Sequence, residues 1–345
     1  MGRERFNCVL SVNALEVTSS RDMPLTRRPL KVPCRDPHLT MMLARRRSTT
    51  TRNMGTVLFS WEARWVDLAA ILLERIGAAA VQEVAEGHQA RVFELMLVDG
   101  QRLVAKVLDA ALVDVDVVVA RVDAVAELAD LDSRVCRPVR IDGNLVNLIA
   151  DDAGRPALLL CSEFAEGVAL DVASPSDAEL MGETLAGIHR SLARITPQGI
   201  PEVAALRAVR SEVDDELQLL HGDFNSGNLR RSDSRVRVFD FEDCGYGPRS
   251  FEIANALYMV LFSSTIESEI SRYRTFEDAF LSGYGAEDGQ DVDRRTVDHF
   301  IDLRVRALER WLEDLPTAPI GIRTATPQWH QTLRSFVGSY QRRQR

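Results

Sequence analysis

Asp223, Asn228 and Asp240 lie close together in the chain, within HGDFNSGNL (221–229) and VRVFDFED (236–243). Polar residues 231–234 separate Asn228-Leu229 from the alternating run Val236 to Phe241, a spacing that predicts a hairpin with Asn228 and Asp240 side by side. A carboxylate and an amide oxygen converging there, with water and phosphate oxygens completing the shell, suit Mg2+, which takes few protein ligands. Asp223, five residues before Asn228 on the same loop, then stands beside that metal, placed to accept the proton of an attacking hydroxyl. Glu242 falls either beside the metal or in solvent. Other catalytic patterns are absent from the sequence: there is no HExxH, no GxSxG, no GxxxxGK[ST] and no GxGxxG opening a helix.

The elements that must hold these residues are legible in outline. A helical pattern over Trp61 to Gly77 precedes β-like runs at Val81 to Ala85, Arg91 to Val98 and Arg102 to Leu108. Asp99-Gly100 between the last two is a hairpin signal. A helix over Val113 to Leu131 follows, then expected strands at Val135 to Ile141 and Leu145 to Ala150 around the turn Asp142-Gly143-Asn144. The apolar run Ala157 to Cys161 predicts a buried strand that leads into SEFAEG (162–167), a lobe boundary. Beyond it, helices are expected at Asp177 to Ile195, Pro201 to Leu219, Phe251 to Ser264 and Val292 to Leu312, interrupted by one β-hairpin. The plan is a β-rich front half and an α-rich back half.

Composition excludes several classes. At 345 residues with 46% hydrophobic and 27% charged side chains, the chain has the balance of a globular protein with an ample core. No uncharged apolar run reaches the roughly 18 residues of a membrane span. Five cysteines, odd in number and without CxxC spacing, indicate neither a disulfide framework nor a zinc site, so a reducing cytoplasm is the expected setting. The net charge of −9 is asymmetric: residues 1–53 hold 11 basic and 4 acidic side chains, leaving 31 against 47 for the rest. That acidic body repels nucleic acid and favours cationic small molecules, and it also serves solubility. Residues 1–53, rich in Arg, Pro and Ser/Thr, show no sustained period and read as a disordered extension, an organelle-targeting segment or an over-extended start before Met54.

The set His221-x-Asp223-x-x-x-x-Asn228, followed by Asp240 after a hydrophobic strand, resembles the aminoglycoside phosphotransferase and choline kinase-like (APH) family. The resemblance extends more weakly over about residues 75–310. It implies an α+β, two-lobed protein-kinase-like fold. A small N-terminal antiparallel β-sheet lobe with a helix would occupy residues 54–163, and a larger, mostly helical C-terminal lobe residues 164–345. By the same resemblance Asp223 is the catalytic base, Asn228 and Asp240 hold Mg2+, and His221 is a structural member of the loop. Lys106, in RLVAKVL, takes the place of the lysine on the ATP phosphates. It is the sole lysine after Lys31 in a chain with 42 basic residues, which suggests that a compact point charge is wanted there. EGHQARVFEL (86–95) resembles the phosphate-covering loop with Gly87 as its one glycine, and SEFAEG resembles the hinge, with Glu163 and Ala165 offering main-chain contacts to adenine.

Four departures from the family pattern stand out. The helix after the lysine strand lacks the usual early Glu, and Asp123 and Glu127 are the nearby acids. Glu252, in GYGPRSFEIANAL, replaces an Asp that supports the catalytic loop. Only 31 residues separate His189, expected as a core histidine, from His221, so the acceptor pocket must come mainly from 201–219 and the helices after Phe251. The phosphate-covering loop is poor in glycine. The implied activity is ATP- and Mg2+-dependent phosphorylation of a hydroxyl on a small, cationic molecule of the aminoglycoside, amino alcohol or amino acid type. A bacterial stress-type protein Ser/Thr kinase and a nucleotide-binding pseudokinase scaffold are the alternatives.

Overall fold

Alternation and turn chemistry build the front half of the chain. The computed structural model describes residues 68–86, 90–150, 155–208, 216–233, 235–289 and 292–344; the extension 1–53 and the Gly87 loop lie outside them. Helix α1 (Leu68–Ile76) leads into strands β1 (Ala78–Glu86), β2 (Ala90–Leu97) and β3 (Arg102–Asp109). β2 and β3 are joined at the Asp99-Gly100 turn, where Gly100 takes the positive φ of 86° that a tight hairpin needs. Helix α2 (Val115–Leu131) starts at Asp114, whose carboxylate accepts the N–H groups of Asp116 and Val117. Strands β4 (Val146–Ala150) and β5 (Pro156–Glu163) complete an antiparallel five-stranded sheet ordered β1-β2-β3-β5-β4. β3 and β5 pair in register, Lys106 opposite Leu160.

The back half is mostly helical. Helix α3 (Pro175–Leu192) has Ser174 as its cap and Pro at its first turn, as the missing proline N–H allows. A short helix α4 (Ala204–Ala208) and strand β6 (Leu217–Leu220) precede the hairpin β7 (Leu229–Ser232) and β8 (Arg235–Val238). Strand β9 (Gly245–Pro248) pairs with β6 and runs into α5 (Arg249–Ile266), followed by α6 (Ile270–Asp288), α7 (Arg294–Glu313), α8 (Ile320–Arg323) and α9 (Pro327–Gln344). α5 is apolar around most of its circumference, and most of its residues are buried, so it forms the axis of the main core. α3 and α6 cross closely because both carry glycine at the crossing. A Cβ on Gly182 would lie 2.0 Å from the Phe280 carbonyl oxygen, and one on Gly283 2.2 Å from that of Glu179.

Two sequence expectations need correction. Val135 to Ile141 is not a strand: its N–H groups turn alternately to the two halves, Cys136 donating to the Val238 oxygen and Val139 to that of Cys161. Pro138 in its centre has no N–H to contribute to a ladder. The helix expected over Pro201 to Leu219 is confined to α4 among the described residues, because Leu217 to Leu220 pairs with β9, exposing Leu217 and burying Leu219 and Leu220.

Candidate active site

The loop from His221 to Asn228 leaves β6 through Gly222, at φ 89°, where a Cβ would lie 2.1 Å from the Asp243 carbonyl oxygen. Glycine is therefore required there, and the loop lies directly against the segment that carries Asp240. Inside the loop, the Asn225 side-chain oxygen accepts the Gly227 N–H at 2.8 Å, and its Nδ2 donates to the Asp223 carbonyl at 3.0 Å. Asn228 Nδ2 donates to the same carbonyl at 2.9 Å and to the Asp223 carboxylate at 3.2 Å. The Phe239 N–H reaches the Asn228 carbonyl at 3.2 Å, so the hairpin closes next to Asn228 and delivers Asp240 beside it.

Buried groups hold this loop from behind. Glu252, on α5, accepts the Gly222 N–H at 2.6 Å and the His221 N–H at 3.0 Å. It also accepts the His189 Nε2–H at 2.9 Å. His189 Nδ1 in turn accepts from the Tyr284 hydroxyl at 2.8 Å, whose oxygen receives the Arg249 guanidinium at 2.6 and 2.9 Å. Donor directions therefore run one way, from Arg249 through Tyr284 and His189 to Glu252. Burial works to lift the Glu252 carboxyl, but the His189 hydrogen bond, both histidines and the Gly222 N–H outweigh it and hold it below the usual carboxylate range. His221 donates from Nε2 to the Phe239 carbonyl at 3.0 Å, and burial pulls its pKa down, so it is a neutral structural member of the loop.

Lys106 joins the two halves. Its Nζ lies 2.6 Å from Asp240 and 2.9 Å from Glu242. Burial opposes its charge, but the two carboxylates more than compensate and raise its pKa. The same lysine outweighs burial at Asp240 and lowers that carboxyl, whereas burial prevails at Glu242 and leaves it raised. Asp240 has a positive φ of 69°, a strained conformation of the kind that persists where the surroundings over-determine it. The acids that partner Lys106 are thus Asp240 and Glu242, both from residues 240–242. Asp123 and Glu127 are exposed on α2. In their stead α2 contributes buried Arg121, whose guanidinium donates to the Glu242 carbonyl.

Val104, Val118, Val122, Leu160, Cys161 and Phe241 help to line an apolar cavity of about 140 Å³ that ends on Lys106 and Asp240. Its lining is mostly apolar, with Lys106, Arg121, Asp240, Glu242 and Asp243 as the charged residues. Neither Glu163 nor Ala165 is among the lining residues. The Glu163 N–H is already bonded to the Arg137 carbonyl at 2.9 Å, and its carboxylate pairs with Arg237. Ala165 makes no backbone hydrogen bond of this kind among the described residues. No cluster of three His, Cys, Asp or Glu forms a closed metal cage among the described residues. The donor set nonetheless fits Mg2+: Asn228 spends its amide nitrogen on Asp223, which turns its oxygen to the acceptor role, and Asp240 is a carboxylate.

Three residues escape motif reading. Asn225 clamps the loop, Arg121 anchors α2 to the Glu242 backbone, and Arg304, on α7, is buried with Asp223 among the charges that act on it. Arg304 did leave a signal, since it interrupts the apolar stripe Val297, Phe300, Ile301, Leu308 at helical spacing.

A small antiparallel sheet, a mostly helical partner and a loop-plus-hairpin acid pair between them define a protein-kinase-like fold. Among solved structures, the amicoumacin kinase hAmiN in complex with AMP-PNP, Ca2+ and Ami superposes with a TM-score of 0.63 at 20% identity, covering 82% of this chain and 95% of that one. A microcompartment-associated aminopropanol kinase gives 0.59 at 17% identity, covering 79% and 94%. The aminoglycoside phosphotransferase from Alicyclobacillus acidocaldarius gives 0.54 at 14%, covering 84% and 95%. At these identities the likeness is one of fold. Residues 200–298 match the model of the phosphotransferase enzyme family, APH. An uncharacterized protein of Synechocystis sp. is 26% identical over 196 residues, 46% of this chain and about half (52%) of that protein's length.

Proposed function

We propose that the protein is an ATP- and Mg2+-dependent phosphotransferase that acts on a hydroxyl of a small molecule. The observation that carries this reading is two side-chain pairs, Asn228 with Asp223 and Lys106 with Asp240, brought to adjacent segments by the backbone bond from the Phe239 N–H to the Asn228 carbonyl. In the reaction the acceptor oxygen forms a bond to the γ-phosphorus as the bond from that phosphorus to the β,γ-bridging oxygen breaks. The hydroxyl proton passes to the Asp223 carboxylate, and ADP leaves. Lys106 neutralises phosphate charge, and Asn228 and Asp240 hold the metal, which when bound shields the phosphate oxygens. The family match and the kinase folds, named for amicoumacin, aminopropanol and aminoglycoside, support a small acceptor. Cys136, Cys161 and Cys244 are buried free thiols, which suits the cytoplasmic setting of this reading.

The test is Mg2+-dependent ADP release against a panel of aminoglycosides, amino alcohols and hydroxy amino acids. Release stimulated by one acceptor, and lost in Asp223→Asn and Asp240→Ala, is the expected result. Asp240→Ala retaining most of the activity would refute the metal assignment.

A further inference from the structure

Arg121 brings a charge of the opposite sign from the helix where an acid is expected. It is 7% exposed and lines the apolar cavity together with Lys106, Asp240 and Glu242. Its guanidinium donates one N–H to the Glu242 carbonyl, while its buried Nε–H has no acceptor among the described residues. Withdrawing a charged donor from water without an acceptor is costly, and the cost falls when a ligand brings one, above all an anionic oxygen. The two cations of the cavity differ in what holds them. Lys106 Nζ lies 2.6 and 2.9 Å from two carboxylates, which offset its charge. The hydrogen bond of the Arg121 guanidinium goes to a neutral carbonyl, and no ion pair joins it to a carboxylate among the described residues. The Glu242 carboxyl feels the charge of Arg121 but takes its contact from Lys106. Arg121 is therefore the cation of this cavity whose charge is least spent within the protein.

We propose that Arg121 is a nucleotide-binding residue, its Nε–H donating to a non-bridging phosphate oxygen of ATP at the charged end of the cavity. This rests on the phosphotransferase reading above and adds a residue to that site. The charged lining residues are the cations Lys106 and Arg121 and the acids Asp240, Glu242 and Asp243, so the lining carries no excess positive charge. Residues 54–345 hold 31 basic against 47 acidic side chains, a field that disfavours polyanions. Against both, a polyphosphate is held by donors that reach its oxygens at short range, and a buried guanidinium on a helix is such a donor. The departure on α2 then has a role. With Lys106 oriented by residues 240–242, the helix supplies a second cation in place of an acid.

The experiment compares the equilibrium binding of AMP-PNP and of adenosine to the full chain, with Mg2+ present, by calorimetry. Adenosine shares the base and ribose and lacks the phosphates. AMP-PNP should bind the wild-type protein more tightly, and Arg121→Met should lower the ratio of the two affinities at least about 10-fold, the lower end of what a charge-assisted hydrogen bond contributes. A smaller fall in that ratio overturns the inference and leaves the kinase reading standing. So does an equal loss of affinity for both ligands, which makes Arg121 a purely structural residue. If the variant does not fold, a crystal structure of the wild-type protein with AMP-PNP and Mg2+ decides. A phosphate oxygen at about 2.7–3.2 Å from Arg121 Nε is the expected result, and water or a base nitrogen there in its place overturns the inference. Folded wild-type protein that binds neither ligand overturns the kinase reading as well.

Discussion

Replacing Glu252 by Gln tests the support of the catalytic loop with the least steric change. The carboxylate accepts three bonds, one oxygen from Gly222 and the other from both His221 N–H and His189 Nε2–H, and it is 1% exposed. A glutamine can place its amide oxygen at the shared site, but its NH2 then faces the Gly222 N–H, donor against donor. One buried N–H is left unsatisfied at about 1–3 kcal/mol, and the two surviving bonds lose charge assistance worth about 1 kcal/mol in total. The expected loss is therefore about 2–4 kcal/mol, read from urea midpoints and slopes near pH 7. Because Gly222 precedes Asp223, the loop shifts as well, and kcat should fall about 10- to 100-fold with little change in the KM for ATP. The folded Glu252 carboxyl is held below its ordinary value, so its contribution is complete above the unfolded pKa of about 4.3 and is lost as pH falls through the lower folded value. The gap between wild type and variant should accordingly be full at pH 7, begin to narrow below about pH 4, and close once the pH is below the lower folded value, where both side chains are neutral. A stability difference under about 0.5 kcal/mol at pH 7, with kcat retained, would refute this account of the loop.

Lys106→Met leaves Asp240 and Glu242 facing each other without their shared cation. ADP release should disappear, and the urea midpoint should fall by the equivalent of about 1–3 kcal/mol, below the value for a fully buried pair because all three side chains reach solvent. Unchanged stability would show that the three do not act as a unit. Arg121→Leu removes a charged donor from the Glu242 carbonyl, so a loss of about 1–2 kcal/mol and a lower kcat are expected; wild-type values of both would assign Arg121 to packing alone.

The chemistry was most legible where it is local. The segments that carry Asn228 and Asp240 are joined because a four-residue strand turns back on its neighbour and the Phe239 N–H reaches the Asn228 carbonyl, and period-2 alternation with polar turn residues is enough to predict that hairpin. Lys106 was placed by the Asp99-Gly100 hairpin and by its rarity in a chain dominated by arginine. The ion pair of Lys106 with Asp240 spans 134 positions, and no periodicity announces a contact at that range. β6 was read as the end of a helix because LQLL is four residues long and gains its identity from β9, not from its own pattern. Val135 to Ile141 has strand-like composition, but its hydrogen bonds go to two different elements. Arg304 was visible in the sequence as a charge on an apolar stripe, and the structure buries it there over the Tyr258 ring, a contact no periodicity announces.

The charges beside the apolar cavity explain how the site dispenses with an acid on α2. Lys106 and Arg121 face Asp240 and Glu242, two cations against two carboxylates, so the cluster is close to neutral. In protein kinases the lysine on the third strand is oriented by a helix glutamate, and moving that helix breaks the pair. Here both carboxylates that orient Lys106 come from residues 240–242, the segment whose hairpin also fixes Asn228. Displacing α2 would break the Arg121 bond to the Glu242 carbonyl and leave the lysine pairs intact. Lysine placement is thereby tied to residues 240–242 and not to the helix. Control through swinging of α2 is weakened as a result, and a site that is assembled before its substrates arrive suits an enzyme whose acceptor is a small molecule.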